Sequence, residues 1–326
     1  MKVAMLGAGA WGTALALVLH RGKHQVVLWG HDARHLEEVR RTRRNERYLP
    51  GIDLPSGWLF EPTMRRAIEG SECALVAVPS RAIRTATKDL ADYEGILVSV
   101  TKGIELDTGL TMCGVMESNA PRATIAALSG PTLALEVARG VPTAIVAASR
   151  AMATAQTVQK LFHSVPLRVY TSTDLTGVEL GGALKKVVAI AAGVGDGLGF
   201  GDNSKAALLT RGIVEIRRLG VACGAQAETF SGLSGLGDLA VTCFSKLSRN
   251  RALGERLGGG EKLEAILAKS VSVAEGYPTT CAAYQLARRL AVSTPIIDEV
   301  HALLYQGKNV AAALHDLIGR ESKAED

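Results

Sequence analysis

The stretch Lys2-Val3-Ala4-Met5-Leu6-Gly7-Ala8-Gly9-Ala10-Trp11-Gly12-Thr13-Ala14-Leu15-Ala16-Leu17-Val18-Leu19 decides the fold. After one charge it begins with a continuous apolar run, the pattern of a strand covered on both faces. It ends in an apolar helical segment, and the three glycines between them fit G-x-G-x-x-G. Gly7 permits the tight turn, Gly9 lets backbone approach a pyrophosphate, and Gly12 lets helix and strand pack closely. A pyrophosphate would sit at the helix N-terminus, where unpaired N–H groups and the helix dipole favour an anion. Alone, the motif is weak. Here a strand precedes it, a helix follows it, and a second apolar run at residues 26–29 comes at the spacing of a βαβ unit. The expectation is a dinucleotide site on Gly7, Gly9, Ala10, Trp11 and Gly12, against the alternative of an ordinary strand–helix turn.

Working outward, further short apolar runs follow at residues 74–78, 96–100, 124–128, 144–147 and 167–170, each bounded by turn residues. The segments between them are long enough for crossover helices, which implies an α/β fold with a doubly wound, Rossmann-type sheet. The texture changes near 170–176. Beyond it, apolar residues recur at three- and four-residue intervals over 177–193, 204–219, 250–257, 262–268, 280–290 and 296–305. The expected organisation is a dinucleotide-binding Rossmann-type domain over 1–172 and an all-helical substrate-binding domain over 173–326.

Composition narrows the class. The 326 residues are 47% hydrophobic and 21% charged, far from a disordered chain, and only 4% aromatic, so aliphatic side chains must build the cores. A net charge of +5 mildly favours anionic ligands but is too small and dispersed for nucleic acid. The densest basic cluster, Arg40, Arg41, Arg43, Arg44 and Arg47, reads as a solvated helix face or loop, with a surface that attracts phosphate-bearing ligands as the alternative. Five widely spaced cysteines without a C-x-x-C pair suggest a reducing compartment, with neither a disulfide framework nor a zinc site. No signal peptide and no membrane-length apolar run are visible, so the expected location is cytoplasmic.

Candidate chemistry lies at strand ends and glycine-rich turns. The second apolar run ends in Gly30-His31-Asp32; His31 reads as facing an adenosine ribose, or as an exposed loop histidine. Lys102 and the turn Gly130-Pro131-Thr132 follow consecutive buried runs, where ligands of open α/β sheets gather; a solvent-facing loop lysine is the alternative for Lys102. The small-residue helix over 177–193 is interrupted by Lys185 and Lys186; burial of such an ammonium brings it toward useful acid–base range, while a surface stripe is the alternative. Asp238, in Gly235-Leu236-Gly237-Asp238-Leu239, fits either a helix cap or a group that orients a lysine. Ser248, Arg249 and Asn250 open a helix as a phosphate receptor would, through forked guanidinium and amide donors, or as an ordinary helix start with exposed arginines.

Taken together, these motifs resemble the bacterial NAD(P)-dependent glycerol-3-phosphate dehydrogenases over almost the whole chain. The resemblance includes Tyr48-Leu49-Pro50-Gly51, Thr101-Lys102-Gly103-Ile104-Glu105, Leu128-Ser129-Gly130-Pro131-Thr132, Gly199-Phe200-Gly201-Asp202-Asn203, Ser248-Arg249-Asn250-Arg251 and Val273-Ala274-Glu275-Gly276-Tyr277. It implies reversible hydride transfer between NADH or NADPH and dihydroxyacetone phosphate, giving sn-glycerol 3-phosphate for phospholipid synthesis, in a homodimer. By the same resemblance Lys185 transfers the proton, Lys102 polarises the carbonyl and touches cofactor and substrate, and Asp238 holds Lys185. Gly130, Thr132, Ser248, Arg249 and Asn250 bind substrate. Ala10, Trp11, His31, Ala134, Arg249, Val273 and Glu275 contact the cofactor.

Two positions depart from the family pattern. Lys186 stands where the family usually has Asn, and leaves three readings open: it lowers the pKa of Lys185, binds phosphate, or points away. Ala10 replaces a common Ser and removes a hydroxyl near the cofactor. The competing readings are a related β-hydroxyacid-type dehydrogenase, which the phosphate receptor argues against, and a non-catalytic dinucleotide-sensing regulator, which the set Lys102, Lys185 and Asp238 argues against.

Overall fold

The computed structural model describes residues 1–269 and 274–320. They form two compact units: Met1–Glu105 with Leu110–Glu179, and Leu106–Gly109 with the described residues from Leu180 onward.

The first unit is built on strands β1 (Lys2–Leu6), β2 (Gln25–Trp29), β3 (Arg44–Asn45), β4 (Leu49–Asp53), β5 (Leu59–Glu61), β6 (Cys73–Val76), β7 (Ile96–Ser99), β8 (Thr124–Ser129), β9 (Thr143–Ala148) and β10 (Leu167–Ser172). Among the described residues, eight of them make one sheet in the order β10-β9-β8-β7-β6-β1-β2-β5, while β3 and β4 form a separate ribbon. The helices of this unit are α1 (Ala10–Arg21), α2 (Ala33–Thr42), α3 (Met64–Ile68), α4 (Ile83–Thr87), α5 (Met112–Asn119), α6 (Ala134–Arg139) and α7 (Met152–Phe162). All seven expected runs are strands. In β1, Val3 to Leu6 are buried on both faces, which is why the run is continuous rather than alternating. Met5 pairs in parallel register with Leu28 on one side and Leu75 on the other.

The sheet is not parallel throughout. β9 runs antiparallel to β8, with Leu128 opposite Ala147, and β10 then runs parallel to β9. The expected doubly wound sheet therefore carries a reversed pair of strands at one edge. Its core, including Met5, Leu28, Leu75, Val98, Leu128, Ile145 and Phe162, is continuous across the reversal.

Helix α8 (Leu175–Gly197) runs through the division between the units. The second unit then continues as α9 (Asp202–Ala222), α10 (Asp238–Phe244), α11 (Arg249–Gly258), α12 (Leu263–Lys269), α13 (Gly276–Arg289), α14 (Pro295–Tyr305) and α15 (Val310–Ile318). No strand occurs among its described residues. The small residues of α8 have a direct use. A Cβ on Gly193 would press into the carbonyl of Arg251, and one on Gly254 into the carbonyl of Ile190. Helices α8 and α11 thus touch backbone to backbone, which seats the start of α11 against the α8 turns that follow Lys185. No helix among the described residues is long and apolar enough to cross a membrane.

Candidate active site

In the first unit the glycine loop has the geometry its motif asks for. Gly7 has φ of +136°, and a Cβ there would collide with the carbonyl of Ala77. A Cβ on Gly12 would collide with the carbonyl of Gly7, so helix and strand meet only because both residues are glycine. A Cβ on Gly9 would meet nothing within 4 Å. Gly9 therefore borders open space at the N-cap of α1, and no side chain caps that helix start. The first-turn N–H groups of α1 are the donors a pyrophosphate needs, so the loop fits a dinucleotide. Ala10 and Trp11 are half-buried on the same turn, and Ala134 begins α6.

His31 is exposed just past the C-terminal end of β2. Asp32 is taken up elsewhere. Its carboxylate caps α2 by accepting from the N–H groups of His35 and Arg34, both at 3.1 Å, and the bond from His35 holds its pKa below the usual carboxylate value. The end of β2 thus exposes a histidine, while the neighbouring carboxylate is engaged at the start of α2.

Lys102 and the turn at 130–132 do come together within this unit. Strands β7 and β8 are parallel neighbours, so the loops leaving their C-terminal ends are adjacent. Lys102 Nζ donates to the Gly130 carbonyl at 2.9 Å, and Thr132 Oγ1 donates to the same oxygen at 3.2 Å. Gly130 has φ of +139°, and a Cβ there would stand 3.0 Å from Ile145 Cα on β9.

In the second unit both lysines of α8 are buried, Lys185 at 6% and Lys186 at 5% exposed, which rules out the surface stripe. Lys185 forms an ion pair with Asp238, which is fully buried at the first residue of α10. Asp238 does not cap the helix: that place belongs to Gly237. Lys185 Nζ also donates to Thr242 Oγ1 at 2.7 Å. Thr242 escaped the sequence reading; the available signal was a hydroxyl four residues after Asp238, hence on the same helix face. Lys186 pairs with Glu275 at 2.5 Å. Ser248 is buried and caps α11, accepting from the Arg251 N–H at 3.2 Å. Asn250 Oδ1 accepts from the Gly276 N–H at 2.8 Å, which leaves the Asn250 amide N–H groups as its donors. Arg249 is exposed beside them. Val273 lies outside the described residues.

Comparison with known proteins decides what this arrangement belongs to. Residues 2–155 match the model of the NAD-dependent glycerol-3-phosphate dehydrogenase N-terminus, and residues 174–315 match that of its C-terminus. The chain belongs to this family. It is 47% identical to glycerol-3-phosphate dehydrogenase (NAD(P)+) of Bacillus velezensis over 98% of this chain and 94% of that one. It is 46% identical to the Geobacter enzyme of the same name over 99% and 98%. Its structure is similar to the crystal structure of glycerol-3-phosphate dehydrogenase from Coxiella burnetii, with a TM-score of 0.94 and 35% identity over 98% and 99% of the two chains. A D-mandelate dehydrogenase in complex with NADH shares the fold alone, with a TM-score of 0.61 at 13% identity. Membership of the family makes the chain an NAD(P)-dependent oxidoreductase, with NAD or NADP as its cofactor.

Proposed function

We propose that this chain interconverts dihydroxyacetone phosphate and sn-glycerol 3-phosphate by hydride exchange with NADH or NADPH, and that Lys185 moves the proton. The observation that carries the reading is the buried Lys185, ion-paired with Asp238 and hydrogen-bonded to Thr242, in a chain whose two halves both match this dehydrogenase family.

The reduced nicotinamide, when bound, supplies the hydride to the carbonyl carbon of the substrate. Residues 1–172 carry its dinucleotide, with the pyrophosphate on Gly7, Gly9, Ala10, Trp11 and Gly12. His31, Ala134, Arg249 and Glu275 make further cofactor contacts. Residues 173–326 form the substrate-binding domain and carry the proton donor and the phosphate receptor. Reduction builds negative charge on the oxygen at carbon 2, and the Lys185 ammonium gives that oxygen its proton. In the reverse direction the neutral amine accepts it. Asp238, by its ion pair, and Thr242, by its hydrogen bond, fix where Nζ points. Lys102 polarises the carbonyl. Gly130, Thr132, Ser248, Arg249 and Asn250 hold the substrate, with guanidinium and amide donors on its phosphate. The rest of the reading is a cytoplasmic homodimer that supplies the phospholipid backbone.

Initial rates with NADH and NADPH test the reading directly. Dihydroxyacetone phosphate should be reduced and small 2- and 3-oxoacids should not. Lys185→Ala should abolish hydride transfer while still binding dinucleotide; wild-type turnover in that variant would refute the assignment.

A further inference from the structure

Lys186 has a place of its own in the second unit. Successive residues of an α-helix leave it about 100° apart, so neighbouring lysines serve different neighbours. Lys185 meets α10 through Asp238 and Thr242, whereas Lys186 meets Glu275, the residue just before α13. Its ammonium lies 2.5 Å from Glu275 Oε2, with the lysine side chain 6% and the glutamate side chain 29% exposed. The next residue, Gly276, donates its N–H to Asn250 Oδ1. A Cβ on Gly276 would press on that same oxygen and on Ile190 of α8. Helix α8, the start of α13 and the turn that opens α11 are therefore tied into one patch, with the Lys186–Glu275 pair on one side and the Gly276–Asn250 bond on the other.

We propose that Lys186 is a positioning residue: its ammonium sets the Glu275 carboxylate and, through the Gly276–Asn250 bond, the phosphate-binding turn at 248–250. The proposal rests on the roles given above to Glu275 and Asn250. It decides among the three readings of the Asn-to-Lys departure. The charge of Lys186 is matched by Glu275, so Lys186 is neither a second phosphate receptor nor an uncompensated cation acting on Lys185. A neutral pair also exerts a field that falls off faster with distance than that of a lone ammonium. Removing one partner strands the other charge in a half-buried place, so the loss should appear in ligand binding.

The test is a double-mutant cycle of Lys186→Met and Glu275→Gln in the full-length enzyme. Dissociation constants for NADH and NADPH are read by nicotinamide fluorescence, and KM for dihydroxyacetone phosphate by initial rates. Lys186→Met should weaken dinucleotide binding at least tenfold, and Lys186→Arg should restore most of it. In the Glu275→Gln background, removing Lys186 should change the dinucleotide constants by less than about twofold, because its partner is already gone. That comparison does not need the single Lys186→Met protein, so it survives if that variant fails to fold. Independent, multiplying effects of the two substitutions would overturn the proposal. So would unchanged dinucleotide binding in Lys186→Met, whatever happens to KM for dihydroxyacetone phosphate. Unaltered dinucleotide binding in Glu275→Gln would remove the cofactor role of Glu275 itself, and the proposal with it; turnover of dihydroxyacetone phosphate by the unmodified enzyme would still stand as a separate result.

Discussion

Thr242 Oγ1 accepts a hydrogen bond from Lys185 Nζ at 2.7 Å and donates one to the carbonyl of Asp238 at 2.6 Å. The hydroxyl has one proton, and the backbone carbonyl takes it. Its lone pair is therefore turned toward the lysine, and the contact is directional in a way the ion pair alone is not. A hydrogen bond to a charged group contributes about 1.5–3 kcal/mol. Thr242→Val keeps the shape and removes the acceptor. It should lower kcat by about 10- to 100-fold, leave dinucleotide affinity nearly unchanged, and be largely rescued by Thr242→Ser. Steady-state kinetics alongside a fluorescence titration would show this; a Val variant with full kcat removes Thr242 from the proton-transfer step.

The glycines of the first loop should separate by experiment. Gly7 and Gly12 are required by the fold, because an added methyl meets the carbonyl of Ala77 or of Gly7. Gly9 is required only by the ligand, because its methyl would project into open space. Gly7→Ala and Gly12→Ala should each cost about 1–3 kcal/mol of stability through overpacking, with added strain at the positive φ of Gly7. Gly9→Ala should melt like the wild-type protein in the absence of ligand and bind NADH and NADPH at least tenfold more weakly. Thermal melts of the three ligand-free variants, with dinucleotide titrations, decide this. A destabilised Gly9→Ala protein would contradict the separation.

The same contrast shows where the sequence was legible. The loop at 7–12 could be read because Gly7 and Gly12 answer local steric demands and Gly9 answers the approach of a ligand. The strands could be read because residues such as Val3 to Leu6 are buried on both faces. The reversal of β9 and β10 could not, since a strand buried on both faces has the same composition whichever way it runs. The ribbon of β3 and β4 was hidden by its polar residues, Arg44, Asn45 and Asp53, and by Pro50 and Gly51. In the site, Lys102 and Gly130 were placed together by the rule that ligands gather at strand ends, and their hydrogen bond agrees. Thr242 was missed because a threonine in an apolar helix looks like core. The partner of Lys186 lies 89 residues away in the chain, beyond any local pattern.

Glu179 gives a pH signature unrelated to catalysis. It is buried and accepts from the Cys113 N–H at 2.9 Å, and burial outweighs that bond, raising its pKa from 4.5 to about 7. Between those values the folded chain keeps a proton that the unfolded chain has released. Stability from this group is therefore fully present below about pH 4.5 and is lost as the pH rises through about 7. The loss has a ceiling of about 3 kcal/mol. Glu179→Gln keeps an acceptor for Cys113 and carries no titrating proton. Its unfolding free energy should fall less than that of the wild-type protein between pH 5 and pH 8, by an amount approaching that ceiling. Chemical denaturation at several pH values provides the comparison, and parallel curves would mean that Glu179 does not titrate in this range.

Lys102, proposed to polarise the substrate carbonyl, allows charge and geometry to be separated. Its ammonium reaches the Gly130 carbonyl across two neighbouring strand ends, and that oxygen is also bonded by Thr132. A lysine tethered in this way is preorganised: its direction is set before substrate arrives, and no reorganisation is needed as charge grows on the substrate oxygen. Lys102→Ala should therefore reduce kcat/KM for dihydroxyacetone phosphate by about 10²- to 10³-fold, with most of the loss in kcat. Lys102→Arg should not rescue it, because a planar guanidinium bonded to Gly130 cannot place a point charge where the ammonium stood. If Arg restored the rate, positive charge alone would suffice and the Gly130 tether would have no part in catalysis.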